Sequence, residues 1–200
     1  MWVQVPPLAQ MDFYNKNTAY VIGLAIGDGN LSNPSGRVTC LRITCDDKYP
    51  LLRNRIANAL KQLLTKNKVS EYKRKENCAE VYCSSNSLES ILGWKAKDGS
   101  KYKQNVNVPI WIFTRKIYMK KCLKGLFETD GSIYRDRKYT YVNFTTIIEA
   151  LKNDVVRMIE ILGYKSNVSK VMQKTGKYKY VVRVCKNSAD FIKKIDIRKE

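Results

Sequence analysis

The sequence contains no histidine. That excludes every chemistry that runs through imidazole: Ser–His nucleophiles, histidine metal ligation and imidazole general bases. Any hydrolysis must use carboxylates, lysine and bound metal. Acidic side chains are scarce, with 18 Asp and Glu against 37 Lys and Arg, so a carboxylate in an organised motif stands out. Long apolar runs are missing too; the longest, over 19–26, is too short to span a bilayer. The opening Met1-Trp2-Val3-Gln4-Val5-Pro6-Pro7 has neither a basic segment nor an apolar stretch of the secretory kind. The expectation is a soluble, intracellular chain with no membrane partner. Six cysteines occur, but the pairs Cys40/Cys45 and Cys78/Cys83 are five residues apart. On a strand an odd offset sends the two side chains to opposite faces, and the short gap of a zinc site is missing, so free thiols are expected.

What remains is strongly basic, with a formal charge of +19 and a pI near 9.7. Hydrophobic residues at 44% are ample for a packed core, so this is no disordered basic tail. A folded chain this basic points to nucleic acid as partner, the plainer alternative being a basic or ribosome-associated surface. Two hundred residues fit one medium domain or two small halves sharing a core.

One pattern occurs twice. Thr18-Ala19-Tyr20-Val21-Ile22-Gly23-Leu24-Ala25-Ile26-Gly27-Asp28-Gly29 is an apolar helical run closing on Asp-Gly. Met119-Lys120-Lys121-Cys122-Leu123-Lys124-Gly125-Leu126-Phe127-Glu128-Thr129-Asp130-Gly131 is another. Asp28 and Asp130 lie 102 residues apart, and Thr44 and Thr146 share that offset, so the repeat is expected to keep register through the second strand. Period and turn signals predict a leader over 1–11, then a helix ending at Asp28 and strands over 30–32 and 37–45. A helix over 49–64, strands over 68–75 and 79–83 joined by Glu76-Asn77, and a short helix over 87–92 follow. The second half predicts strands over 132–135 and 139–145, a helix over 148–162, strands over 166–174 and 178–185 around Thr175-Gly176, and a helix over 188–195. Between the halves, 93–109 is a long basic loop, and such loops are often functional.

Gly23 and Gly27 share a helix face, as do Gly125 and Thr129, and small residues at that spacing let two backbones approach closely. If the helices cross there, Asp28 and Asp130 converge. Two carboxylates repel one another, and an oxygen-seeking divalent cation relieves the repulsion. Such an ion also prepares water for attack on a phosphodiester. The plainer reading, an Asp-Gly helix end at a turn, suffices for one copy but not for two in matching contexts. A glycine-rich phosphate loop is disfavoured, because these glycines end a helix rather than open one.

The stretches Gly23–Gly29 and Gly125–Gly131 resemble the two motifs of a single-chain LAGLIDADG homing endonuclease, and the likeness extends over about residues 12–200. The resemblance implies an α+β fold: a pseudo-two-fold αββαββα repeat with two antiparallel sheets forming a DNA-binding saddle and the motif helices packed at the centre. The halves would be 12–104 and 115–200, joined by a linker over 105–114. It implies a monomer that cuts both strands of a long double-stranded DNA site, pseudo-palindromic or asymmetric. The implied cofactor is Mg²⁺, or Mn²⁺, with Ca²⁺ as a non-productive substitute. Asp28 and Asp130 would be the catalytic, metal-binding acids, helped by the carbonyls of Gly27 and Thr129. A mobile intron or intein is the implied origin, an intact intein being disfavoured by the lack of a leading Cys and a terminal His-Asn. Family members usually carry Gln or Lys just after each second strand. Here the positions hold Cys45, beside Asp46, and Thr146, a departure that puts the water-organising groups in question. Lys101 or Lys103 could supply one basic group and Lys199 its counterpart.

DNA contacts would then come from one face of each sheet, because alternate strand residues share a face. Tyr139, Tyr141 and Asn143 form one such set, Ser70, Tyr72 and Arg74 another, and Lys179 and Arg183 a third. Arg42, Ser132, Tyr134 and Lys138 join them by position after the motifs. The alternatives are an RNA maturase or DNA-binding regulator of the same fold without cleavage, and a structural RNA-binding protein. Retention of both aspartates favours the enzyme.

Overall fold

A computed structural model of the chain describes residues 13–74, 77–173 and 176–200. The expected leader with Trp2, and Glu76 and Thr175 of the two expected turns, lie outside the described residues. The first apolar run forms α1 (Lys16–Asp28), started by Asn15, whose Oδ1 accepts from the amides of Asn17 and Thr18 at 2.8 and 3.0 Å. Every residue from Thr18 to Ile26 is buried. A helix apolar on all sides belongs inside the molecule, and α1 lies there.

Strands β1 (Gly29–Ser32) and β2 (Cys40–Asp46), helix α2 (Pro50–Leu63), strands β3 (Val69–Lys73) and β4 (Cys78–Ser84) and helix α3 (Leu88–Leu92) complete the first half. A 3-10 turn (Ile110–Thr114) leads into α4 (Lys116–Thr129), β5 (Gly131–Asp136), β6 (Tyr139–Thr146), α5 (Glu149–Ile161), β7 (Lys165–Met172), β8 (Tyr178–Cys185) and α6 (Ser188–Ile195). The two antiparallel sheets have orders β1-β2-β4-β3 and β5-β6-β8-β7, the same path twice. The αββαββα duplication is therefore the fold.

Three local differences from the sequence reading have physical causes. β2 starts at Cys40 rather than 37, because Asn33-Pro34-Ser35-Gly36 makes a wider turn in which Gly36 takes φ +72°. The repeat slips by one residue before the second strand. Gly29 pairs with Ile43, whereas Gly131 pairs with Phe144, so the counterpart of Thr44 is Thr145, not Thr146. The tight β5–β6 hairpin, with Arg137 at φ +51°, accounts for the slip. Finally, 105–114 is more than a connection: Val106, Val108 and Ile112 are buried in the core.

The two motif helices touch backbone to backbone. A Cβ on Gly23 would stand 2.2 Å from the carbonyl oxygen of Cys122, and one on Gly125 would stand 2.5 Å from that of Tyr20. Next to this contact lies a buried carboxylate. Glu128 accepts from the Tyr20 hydroxyl at 2.5 Å and the Arg198 amide at 3.0 Å, with Lys124 and Arg55 at 3.5 and 3.7 Å. A buried charge is tolerable only with such partners, and this one ties α1, α2, α4 and the residues after α6 together. All six cysteines are free thiols.

The backbone contact gives a direct test. Gly125→Ala is expected to destabilise the protein by about 3 kcal/mol or more, since rigid backbone leaves the new methyl no room. Gly163→Ala, with open space around it but φ +89°, should cost only about 1 kcal/mol of conformational strain. Denaturant unfolding of both variants checks the contrast; equal losses would contradict it.

Candidate active site

Because α1 and α4 pack side by side and each ends on its acid, Asp28 and Asp130 sit together at one end of the helix pair. That end also presents helix carbonyls, which carry partial negative charge. Like charges gathered this way call for cations, and two lysines supply them. Lys101 donates to the carbonyls of Ile26 at 2.5 Å and Ala25 at 3.3 Å, and to that of Gly27. Lys199 donates to the carbonyl of Thr129 at 3.0 Å and to that of Gly131. Each motif helix thus receives one ammonium group, from the loop between the halves in one case and from beyond α6 in the other.

The electrostatics follow. Both carboxylates reach solvent, yet enough protein surrounds them that burial is the first cause raising each above the ordinary range. Asp130 is pushed up to about 6, with the charge of Asp28 adding to burial while Lys101 and Lys199 hold it down. Burial lowers both lysines, and the two aspartates oppose that shift. Opposed shifts of acid and base inside one site are the environment in which protons are exchanged near neutral pH.

Two cavities flank the pair. One, about 490 Å³, is lined by Asp130, Lys101, Thr145, Thr146, Lys177 and Lys179. The other, about 310 Å³, is lined by Asp28, Thr44, Cys45, Asp46, Asn77 and Cys78. Cys45 and Thr146 occupy equivalent strand-end positions and turn inward; burial pushes the Cys45 thiol up to about 11 and keeps it neutral. The lobes differ in sign, with Asp46 in the first half and two lysines in the second.

The candidate residues distribute as follows. Lys101 reaches the helix end, whereas Lys103 is exposed on the surface with its stem against Gly99. A loop gives no period from which to choose between neighbouring lysines. The carbonyls of Gly27 and Thr129, expected to help hold metal, accept hydrogen bonds from Lys101 and Lys199. On the first sheet, the strand pairings put Arg42, Ser70 and Tyr72 on the open face, away from the helices. Arg74 joins them there by pairing with Glu80, and Arg42 donates to Ser32 Oγ at 3.0 Å. On the second sheet, Ser132, Tyr134, Tyr139, Tyr141, Asn143, Lys179 and Arg183 share the open face. There Tyr134 stacks on Tyr141 at 5.1 Å, the Arg183 guanidinium lies 5.1 Å from the Tyr141 ring, and Arg183 donates to Asn143 Oδ1 at 3.2 Å. Lys138 lies in the β5–β6 turn, exposed. The sequence reading missed Glu80 and Lys177; pairing each strand with its neighbour would have found Glu80, but no local signal marks Lys177.

Two family models match the chain, a WhiA LAGLIDADG-like domain over residues 17–91 and a LAGLIDADG-like domain over 118–196. The chain is a LAGLIDADG protein with two motifs. Among solved structures, mesophilic variants of the homing endonuclease I-DmoI align with a TM-score of 0.67 and 19% identity, covering 91% of this chain and 96% of theirs. I-DmoI in complex with DNA and Mn aligns at 0.66 and 20%, covering 91% and 97%. The N-terminal LAGLIDADG domain of DUF199/WhiA aligns at 0.62 and 13%, covering 98% and 88%. These identities establish a shared fold. Curated relatives include the tRNA-splicing ligase RtcB of Pyrococcus furiosus, 27% identical over 200 residues, with 89% of this chain covered and 21% of that protein. Another is the replication factor C small subunit of Methanocaldococcus jannaschii, 27% identical over 180 residues, with 88% and 9% covered. The chain spans about a fifth or less of the length of these relatives. No helix among the described residues is long and apolar enough to cross a membrane.

The raised acid gives a pH test. Because its folded value of about 6 exceeds the usual 3.8, Asp130 favours the fold most below pH 3.8, and that contribution fades as pH rises through about 6. Carboxyl-carbon NMR should find one aspartate titrating near pH 6, and Lys101→Met should raise its midpoint further. A midpoint near 4, or one that Lys101→Met leaves in place, would contradict the described electrostatics.

Proposed function

We propose that the chain is a site-specific double-strand DNA endonuclease, hydrolysing phosphodiester bonds with a divalent metal ion at Asp28 and Asp130. The observation that carries this reading is the doubled constellation: two carboxylates at the ends of two packed helices, each helix end served by its own lysine. Two solvent-reaching carboxylates, both raised by surrounding protein and one of them, Asp130, also by the charge of Asp28, form a hard oxygen donor set, which fits Mg²⁺ or Mn²⁺. Bound between them, the ion would supply the positive charge that offsets the growing charge on a scissile phosphate.

The remaining work falls to the chain's own groups. Asp28 and Asp130 draw cations to the floor between the sheets. Lys101 and Lys199, hydrogen-bonded to helix carbonyls and lowered by burial, would hold or move a proton at Nζ beside the reacting phosphate. Arg42, Arg183 and the stacked Tyr134 and Tyr141 would offer the open sheet faces to base edges, with the buried Asn143 holding Arg183 from beneath, while lysines such as Lys179 and Lys138 would meet phosphates. The protein acts as a monomer, since one chain supplies both acids. Neither ligation nor replication follows from the curated relatives, of which this chain matches only 21% and 9%.

A second reading keeps the fold and the DNA face without cleavage; the match of residues 17–91 to the WhiA model favours it. Plasmids carrying uninterrupted candidate insertion sites separate the two. With Mg²⁺ both strands should be cut, EDTA should stop cutting, and Asp28→Asn or Asp130→Asn should lower the rate on the order of a thousandfold while leaving binding intact. Lys101→Met and Lys199→Met should each slow cleavage by about 10²-fold or more. Salt-sensitive binding with no strand cut at the true insertion sequence would leave the non-cleaving reading standing alone.

A further inference from the structure

Away from the acid pair, a concavity of about 300 Å³ opens between α1, α2 and α4, lined by Lys16, Arg55, Asn58, Gln62, Lys121 and Lys124. Lys16 and Asp28 are twelve residues apart along α1, which at the helical rise is about 18 Å, so this is a separate place. Four cations meet here, and among the described residues the acids that pair with any of them are Glu128 and Asp196. Lys124 is paired with both of those acids, at 3.5 and 2.6 Å, and Arg55 reaches Glu128 at 3.7 Å. Among the described residues Lys16 and Lys121 make no ion pair, so positive charge is left over. Arg55 Nε, moreover, is buried with no hydrogen-bond partner among the described residues. A buried donor without an acceptor is unusual, and a ligand oxygen is one way to satisfy it. Lys121 feels the crowding: burial first, then the charges of Lys124 and Lys16, hold its ammonium below the usual range.

We propose that this concavity is a binding site for a phosphate-bearing anion, separate from the sheet faces and independent of whether the acid pair cuts DNA. The chemistry selects phosphate. A guanidinium fork and three ammonium groups around one hollow match a multiply charged tetrahedral group with several acceptor oxygens. The amides of Asn58 and Gln62 at the rim add donors for a larger body attached to it. The phosphate can come from a free compound or from a nucleic-acid backbone that runs outside the sheets. Occupancy also reaches the other site, because Arg55 donates to the Arg198 carbonyl and Lys124 to that of Asp196, the segment that carries Lys199.

Titration calorimetry with pyrophosphate at fixed ionic strength tests the site. Binding should saturate at one site per chain, and the Lys16→Gln/Lys121→Gln double variant should weaken it at least tenfold. Lys193→Gln, exposed on α6, should leave it unchanged. A short single-stranded oligonucleotide that displaces pyrophosphate stoichiometrically identifies a nucleic-acid source; pyrophosphate binding that the oligonucleotide leaves alone identifies a free phosphate compound. Wild-type affinity in the double variant, or equal competition by chloride, overturns the proposal. Should the double variant fail to fold, Lys121→Gln alone must weaken binding at least threefold, and unchanged affinity there overturns it equally.

Discussion

The structure depends on one close contact: the backbones of α1 and α4 meet where Gly23 and Gly125 have no side chains. A methyl on either would intrude on a carbonyl at 2.2 or 2.5 Å, so the separation of the two helices is fixed by what these residues lack. Close packing of two helices that both end on an aspartate decides where the carboxylates lie. Their mutual repulsion then becomes a property of the core rather than of any loop. The price of that geometry is visible in Asp130, which burial and Asp28 push up to about 6.

The two lysines that offset this repulsion reach it by different routes. Lys101 arrives on the long loop between the halves, which is anchored by the buried Val106 and Val108 just downstream. Lys199 arrives on the few residues after α6, and those need a separate hold. Glu128 accepts the Arg198 amide, Lys124 donates to Asp196, and the Glu200 carbonyl accepts from the Leu52 amide at 2.7 Å. A buried carboxylate inside the second motif thereby sets the path of a terminal segment that delivers a cation beside the next acid along the chain. An isolated buried ion pair contributes little net stability; one that fixes a chain path contributes specificity of arrangement.

Which parts of this were legible in the sequence follows from what each signal measures. Helical and strand periods report burial, so the motif helices and the alternate-residue sets holding Tyr72, Tyr141 and Arg183 emerged from spacing, whereas Arg42 was placed by its position after the first motif. The repeat offset reports homology of position, and it drifted by one residue where a hairpin shortened, assigning Thr44 the wrong counterpart. Lys101 and Lys103 are two apart in a loop with no period, so only the folded chain distinguishes them. Apart from Lys124, one turn earlier on its own helix, the partners of Glu128 come from α1, α2 and the end of the chain, and a set assembled from three distant segments leaves no local trace. That limit is physical, because tertiary contacts of this kind are written in no single window of residues.

Duplication of the fold does not extend to duplication of charge. The strand-end cavity beside Asp28 contains Asp46, itself paired with Lys48 at 2.7 Å, whereas the one beside Asp130 contains Lys177 and Lys179. A polyanion laid across both halves therefore meets a neutralised acidic lobe on one side and an excess of cations on the other. On the endonuclease reading, two phosphodiesters placed by a symmetric backbone would feel unequal fields, the one nearer Lys177 and Lys179 being held more firmly. The symmetric element of the molecule is the helix pair and its acids; the asymmetric element is what surrounds them. The glycine contact fixes how closely the helices approach, while the charges around their two acids differ from one half to the other at the strand ends. Sequence can change at those strand ends without moving Asp28 relative to Asp130.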